Sequence, residues 1–141
     1  MNAKDWKILL VDDEREFITT LAERLELRGI PARVVFDGES ALEAIAAEEP
    51  QVVVLDVLMP GIKGLEVLER VKRTNPHVQV LLLTGHGSTR DGIEGMRLGA
   101  YDYMMKPLNI DTLIEKMESA IDYACKAATQ AASLADKSDG Q

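Results

Sequence analysis

The sequence predicts an α/β fold, with a doubly wound parallel sheet of five strands and helices on both of its faces. Five short runs rich in Val, Ile and Leu alternate with segments whose apolar residues recur at helical spacing. Two of these runs, QVVVLD at 51–56 and VQVLLL at 78–83, are apolar without alternation, which is typical of strands buried on both faces. Right-handed crossovers between parallel strands then favour an open sheet that binds ligands at its carboxyl edge.

The five predicted strands cover residues 7–11, 32–36, 51–55, 78–83 and 101–105. The first three predicted helices each end before a helix-breaking residue: Gly29 and Pro31 stop the first, Pro50 the second and Pro76 the third. Apolar residues recur in each helix at intervals of three or four, as on the buried face of a surface helix. They are Phe17, Ile18, Leu21 and Leu25, then Ala41, Leu42 and Ile45, then Leu65, Leu68 and Val71.

The fourth predicted helix, at 89–98, contains two glycines. Gly92 and Gly95 each cost about 1 kcal/mol relative to alanine in a helix interior, which leaves Ile93, Met96 and Leu98 to hold the helix against the sheet. We therefore expect this helix to be the loosest element of the fold.

A fifth helix is predicted from Asp111, and its Ala-rich pattern carries it to about Leu134. Residues 135–141 are expected to fray. The residues after 125 are too few for a further folded domain. Their weakly apolar alanine pattern is compatible with a frayed tail and with a helix that binds a partner or a second copy.

Polar side chains follow four of the predicted strands. Asp12 and Asp13 come after the first strand, Asp56 after the third, Thr84 after the fourth and Lys106 after the fifth. Because the carboxyl ends of parallel strands lie at one edge of a sheet, we expect these side chains to converge. The sequence thus predicts one pocket that holds three carboxylates, a hydroxyl and an amine.

Three ionised carboxylates in one pocket repel one another strongly, so a cation must occupy the site. Oxygen ligands without a suitable His or Cys cluster favour a hard ion, and an incomplete protein shell with room for water and phosphate oxygens suits Mg²⁺. Lys106 adds a fixed positive charge. Such a pocket suits phosphoryl transfer, in which an aspartate can act as the nucleophile and form an aspartyl phosphate.

Charge and composition disfavour several classes of partner. The chain has 16 Lys and Arg against 24 Asp and Glu, a formal net charge of −8, which opposes direct binding of nucleic acid or an anionic membrane. No apolar stretch approaches the roughly 20 residues that span a bilayer, and no apolar signal segment is apparent. The single cysteine, Cys125, excludes an internal disulfide and a cysteine-based zinc site. A cytoplasmic location is therefore expected.

Four segments combine the polar residues with their flanking patterns: ILLVDDE at 8–14, VVVLDVLMPGIKGLEVL at 52–68, LLLTGHG at 81–87 and GAYDYMMKP at 99–107. In this order and on these elements, they closely resemble the receiver domain of two-component response regulators, which has a flavodoxin-like (βα)5 fold. The resemblance covers residues 5–125. It implies one receiver domain followed by an Ala-rich helical extension and tail at 126–141.

The resemblance also implies roles for the acidic residues. Asp56 would be the phosphoacceptor, taking its phosphoryl group from the phosphohistidine of a sensor histidine kinase or of a phosphotransfer protein. Asp13 would bind Mg²⁺ directly and Asp12 through water. Asp56 and the backbone carbonyl of Leu58 would complete the protein ligands.

For the remaining site residues the resemblance implies a switch. Lys106 would pair with one phosphoryl oxygen, and Thr84 would hydrogen-bond another. Tyr103 corresponds to the switch aromatic, which turns inward when Thr84 moves towards the phosphate. The bond between Lys106 and Pro107 would be cis, which aims the lysine into the pocket.

We expect the fourth helix, the fifth strand and the fifth helix to form the signalling surface. Gly85, Gly87, Gly92 and Gly95 make this region deformable, so that phosphorylation can bias it between two states. The surface would control a downstream protein target that the sequence does not identify, and it is a candidate for pairing with a second copy. His86, in the loop after the fourth strand, either lines the mouth of the pocket or faces solvent.

Two other functions are less favoured. A Mg²⁺-dependent phosphatase with an aspartyl-phosphate intermediate would use the same groups. However, the DxD arrangement of haloacid-type hydrolases is absent, because Leu58 stands two residues after Asp56 and Glu14 two residues after Asp12. A flavin-binding module on a similar fold needs a phosphate-binding turn rich in Ser, Thr and Gly after the first strand, whereas DDERE would repel the flavin phosphate.

Overall fold

The structure, a computed structural model, describes residues 2–85 and 89–139. Its strands are β1 (Ile8–Val11), β2 (Ala32–Val35), β3 (Val52–Asp56), β4 (Gln79–Thr84) and β5 (Asp102–Met105). Its helices are α1 (Arg15–Leu27), α2 (Gly38–Ala47), α3 (Gly64–Thr74), α4 (Thr89–Arg97) and α5 (Ile110–Asp139), preceded by a 3-10 turn at Ala3–Asp5. The predicted alternation of strands and helices is confirmed.

The five strands form one sheet in the order β2-β1-β3-β4-β5, and every neighbouring pair is parallel. The chain thus starts inside the sheet, runs outwards to β2, and then returns past β1 to build the other half. At the point between β1 and β3 where the order reverses, a crevice opens outside the carboxyl ends of the strands. The predicted fold class is confirmed, and the strand order adds the position of this crevice.

Helices cover both faces of the sheet, and the apolar core forms two layers. One layer contains Ile18 of α1 and Leu113 of α5, packed with Leu10 and Val54 of the sheet. The other contains helical residues of α2 and α3, packed with sheet residues such as Leu55. All residues of β1, β3 and β4 are buried, which the sequence pattern predicts for β3 and β4.

The glycines of α4 have a packing role that the sequence did not indicate. Gly92 and Gly95 are buried against the sheet. A Cβ on Gly92 would lie 2.7 Å from two ring carbons of Tyr103, and a Cβ on Gly95 would lie 2.0 Å from Leu82 Cδ1. Within the structure these glycines permit close packing of α4 on β4 and β5, so their presence is explained without deformability. The expected looseness of α4 stays a prediction.

The last helix is longer than the sequence pattern indicated. It continues to Asp139, five residues past the predicted end at Leu134, and the expected fraying of residues 135–141 stays a prediction. Within the described ranges, no helix, α5 included, has the length and apolarity needed to cross a membrane.

Candidate functional site

The parallel sheet places the predicted polar residues along its carboxyl edge. Asp12 directly follows β1, and Asp56 is the last residue of β3. The register pairs Val11 with Leu55, so the two aspartates are each one residue further along neighbouring strands. Thr84 ends β4 and Lys106 follows β5 at the same edge. The structure therefore brings together side chains that are far apart in the sequence.

Three carboxylates form the centre of the site. Asp12, Asp13 and Asp56 each offer an oxygen, and these oxygens all lie within 4.8 Å of one another. Asp12 is completely buried and Asp56 is 4% exposed, whereas Asp13 is exposed. The cluster is thus closed by protein on one side and open to solvent on the other.

The electrostatic cost of this cluster is visible at Asp56. Burial, and next the negative charge of Asp12, raise the pKa of Asp56 to about 7 from its ordinary value of 3.8. The ammonium of Lys106 and the backbone N–H of Leu58 act in the opposite direction. The carboxylates are therefore only partly neutralised by the residues around them.

Lys106 is the cation of the site. Its Nζ lies 2.7 Å from Asp12 Oδ2, 2.7 Å from Glu14 Oε1 and 3.8 Å from Asp56 Oδ2. It also lies 4.5 Å from the centre of the Phe17 ring, which is a cation–π contact. Burial lowers the pKa of Lys106, but the contacts with Asp12 and Glu14 outweigh it and the net shift is upwards. The Lys106–Pro107 peptide bond is cis, as the family resemblance implies.

The loop after β3 holds the third aspartate in place. The backbone N–H of Leu58 points at Asp56 Oδ1 at a distance of 3.4 Å. Gly64, the first residue of α3, packs so tightly behind this loop that a Cβ would lie 2.3 Å from the backbone oxygen of Asp56. The Gly64 N–H donates to the backbone oxygen of Val57 at 3.1 Å. A side chain at position 64 would therefore displace the end of β3.

Thr84 and Tyr103 make contacts outside the carboxylate cluster. Thr84 is completely buried, and its hydroxyl donates to the backbone oxygen of Met104 at 3.3 Å. The half-buried Tyr103 ring packs against α4 at Gly92. His86, together with Gly87, lies outside the described residues.

Sequence reasoning identified the acidic cluster and Lys106 but missed three residues that shape the site. Glu14 and Phe17 contact the lysine ammonium, and Gly64 supports the Asp56 loop. Glu14 and Gly64 lie inside the motifs at 8–14 and 52–68, and their proximity to the predicted ligands was the available signal. Phe17 was assigned only to the buried face of the first helix, because helical periodicity does not distinguish core packing from contact with a cation.

The donor set fits a hard divalent cation. Apart from its ionic contact with Lys106, the buried Asp12 Oδ2 has no hydrogen-bond partner among the described residues. All the candidate ligand atoms are oxygens, and the exposed side of the cluster leaves room for water, as Mg²⁺ requires. The arrangement can therefore hold a metal and place Lys106 beside a carboxylate that faces the crevice.

Comparison with known proteins identifies the family. The family model for the response regulator receiver domain matches residues 8–118. The nitrogen assimilation regulatory protein NtrX of Azorhizobium caulinodans is 38% identical over 117 residues, which are 82% of this chain and 26% of that protein. Response regulator MprA of Mycolicibacterium vanbaalenii is 36% identical over 82% of this chain and 50% of its own length. The chain thus spans from about a quarter to half of these curated relatives.

The solved structures agree with this match. The crystal structure of the receiver domain of NtrX from Brucella abortus superposes with a TM-score of 0.78 at 37% identity. The superposition covers 82% of this chain and 98% of that domain, so nearly the whole of the solved domain has a counterpart here. The chain belongs to the receiver domain family of two-component response regulators.

Proposed function

We propose that this chain is a phosphorylation-controlled switch in which Asp56 accepts a phosphoryl group in a Mg²⁺-dependent reaction. The donor is the phosphohistidine of a sensor histidine kinase or of a phosphotransfer protein. The observation that carries the proposal is the convergence of three carboxylates within 4.8 Å, with Lys106 Nζ 3.8 Å from the one on β3. Membership of the receiver family supports the same assignment.

The acidic residues fit the ligand roles that the family resemblance implies. Asp13 would bind the metal directly and Asp12 through water, with Asp56 and the backbone carbonyl of Leu58 as the remaining protein ligands. When bound, Mg²⁺ would supply positive charge to the oxygens of the transferring phosphoryl group. Asp13 is the exposed member of the set, so the metal can enter from the solvent side.

The transfer itself needs a carboxylate nucleophile. Asp56 attacks phosphorus, a bond forms between a carboxylate oxygen and phosphorus, and the bond from phosphorus to the histidine nitrogen of the donor breaks. The donor histidine leaves as imidazole. Lys106 pairs with a phosphoryl oxygen and offsets the added charge, which is about two negative units. Water admitted to the same pocket would later attack phosphorus and break its bond to the carboxylate oxygen, which releases inorganic phosphate and returns Asp56 to its free form.

The switch would connect Asp56 to the surface formed by α4, β5 and α5. Thr84 now donates to the backbone oxygen of Met104, and a phosphoryl oxygen on Asp56 would compete for this hydroxyl. Tyr103 is next to Met104 in β5 and packs on α4 at Gly92, so a change at Thr84 can alter this contact. Exposed apolar side chains on this surface, Ile93 and Met96 of α4, provide contact area for a downstream protein or for a second copy.

The phosphatase alternative is not favoured. The family match is to a signalling domain, and Leu58 stands where a haloacid-type hydrolase has its second aspartate. We propose a cytoplasmic switch that catalyses only its own phosphorylation and slow dephosphorylation. With a net charge of −8, this chain would act on a protein partner and would not bind nucleic acid or membrane directly.

Incubation with acetyl phosphate and Mg²⁺, followed by intact mass measurement, tests the proposal. We expect a gain of about 80 Da, the mass of one phosphoryl group, that is absent with EDTA and in Asp56→Asn. Steady release of phosphate from unrelated phosphate esters, with Asp56 dispensable, would instead indicate the hydrolase.

A further inference from the structure

The ammonium of Lys106 is shared unequally between the carboxylates around it. Its Nζ lies 2.7 Å from Glu14 Oε1, to which it donates a hydrogen bond, but 3.8 Å from Asp56 Oδ2. The Glu14 side chain is 63% exposed, whereas that of Asp56 is 6% exposed. Glu14 therefore draws the lysine towards the solvent side of the pocket.

We infer that Glu14 is a positioning residue that holds the Lys106 ammonium off the acceptor carboxylate and competes for it with a phosphoryl group. This inference rests on the proposed role of Asp56 as the phosphoacceptor. On this inference, Glu14 weakens the affinity of the site for a phosphoryl group on Asp56.

The competition follows from the donors that a lysine has. An ammonium carries three N–H donors and no acceptor, so the anions around it compete for these three donors. Asp12 and Glu14 lie at contact distance, and the Phe17 ring flanks the ammonium at 4.5 Å. A phosphoryl group on Asp56 has to recruit a donor from this arrangement. The negative charge of Glu14 would also repel the phosphoryl group, so both effects have the same sign.

Glu14 has a fixed backbone and an exposed side chain, so it can release the lysine. Its backbone N–H donates to Asp12 Oδ1 at 2.9 Å, and its backbone carbonyl accepts from Ile18 N–H in the first turn of α1. The backbone is thus fixed, and only the side chain can swing away. Because the Glu14 carboxylate is 63% exposed and therefore well solvated, its ion pair with Lys106 is weak, and the contact can bias the lysine without locking it.

Titration with beryllofluoride at saturating Mg²⁺ tests the inference, with binding followed by ¹H–¹⁵N NMR. We compare wild type, Glu14→Gln and the control Glu16→Gln, which removes the same charge from the same turn of α1 without a contact to Lys106. Glu14→Gln should bind beryllofluoride about two- to fivefold more tightly than wild type, as expected for loss of an ion pair whose carboxylate is solvated. Glu16→Gln should match wild type.

A second measurement asks whether the effect passes through the lysine. In the protein without Mg²⁺ or beryllofluoride, the side-chain ¹H–¹³C signals of Lys106 should shift in Glu14→Gln and stay in place in Glu16→Gln. Equal beryllofluoride affinity in the two variants, or tighter binding with an unmoved Lys106 signal, would overturn the inference. Folded wild type that bound no beryllofluoride would overturn the proposed function as well, which separates the two failures.

Discussion

The ring of Tyr103 occupies the space that a side chain at Gly92 would fill, because a Cβ there would lie 2.7 Å from the ring carbons. On helix propensity alone, Gly92→Ala should stabilise α4 by about 1 kcal/mol. The close contact reverses this expectation, since either the ring or the helix has to move. We expect Gly92→Ala to destabilise the protein by about 1 to 3 kcal/mol.

Urea unfolding measures this change through the midpoint and slope of the transition. Gly95→Ala should cost more, because its Cβ would meet the fully buried Leu82 at 2.0 Å. Arg90→Ala, at an exposed position of the same helix, should change the free energy of unfolding by less than about 0.5 kcal/mol. A stabilised Gly92→Ala would show that α4 does not pack on β5 at this distance.

The raised pKa of Asp56 makes the stability of the metal-free protein depend on pH. In the folded protein the pKa of the Asp56 carboxyl is about 7, whereas in the unfolded chain it is near 3.8. Between these values the folded state binds more protons, so stability falls as the pH rises. Asp56→Asn cannot ionise, so it does not lose stability as the pH rises. We expect it to be more stable than wild type by about 1 to 3 kcal/mol near pH 8. Near pH 4 the two should agree.

Urea unfolding at both pH values, without Mg²⁺, provides the comparison. Asp122→Asn, at an exposed position of α5, is the matched control and should show no such pH-dependent gain. Equal stability of Asp56→Asn and wild type at both pH values would mean that folding does not raise the pKa of Asp56.

Mg²⁺ should stabilise the folded protein, because the three carboxylates lie together only in that state. At a concentration about 100 times its Kd, a ligand of the native state adds about 2.7 kcal/mol. We expect the Tm of wild type to rise with Mg²⁺ and the apparent affinity to fall about tenfold or more in Asp13→Asn, which loses the exposed ligand. Glu23→Gln on α1 controls for the loss of one negative charge. A Tm unaffected by Mg²⁺ would argue against the metal site.

Lys106→Ala should retain the fold. In this variant we expect beryllofluoride on Asp56 to cause a smaller change in α4 and β5 than in wild type. Without the ammonium, a beryllofluoride group on Asp56 has lost the positive partner that β5 presents to it. Amide hydrogen exchange at Thr84 and over 89–105 should change on beryllofluoride binding in wild type, and clearly less in Lys106→Ala. An unchanged pattern in wild type would contradict the proposed signalling surface, and an equal response in the variant would contradict the role of the lysine.

The fold was largely predictable because it depends on regularities that span many residues. Apolar runs and helical stripes located the five strands and five α-helices found in the described part of the chain, and the parallel arrangement then predicted that Asp12, Asp56 and Lys106 would meet at one edge. That step needs only the direction of the strands, and no knowledge of their order. The strand order itself depends on how the helices pack, which the pattern of a single strand does not encode.

The details that escaped prediction depend on tertiary contacts. Gly92 and Gly95 looked like weaknesses of a helix, because propensity describes a helix without its neighbours. Glu14 and Phe17 reach Lys106 through their side-chain conformations, which spacing along the chain does not specify. The end of α5 was placed too early because an Ala-rich segment contains no stop signal before the chain reaches Asp139.

The order of the strands also sets the distance between the acceptor residue and the surface that would respond to it. Asp56 ends β3 and Tyr103 belongs to β5, with β4 alone between them. Adjacent strands are about 4.8 Å apart, so the two backbones are separated by only about 10 Å. Because β4 is hydrogen-bonded on both sides, it resists bending, and the backbone can remain still while one hydroxyl at its end changes partner. A relay of this kind involves a few side chains and leaves the ladder of the sheet intact.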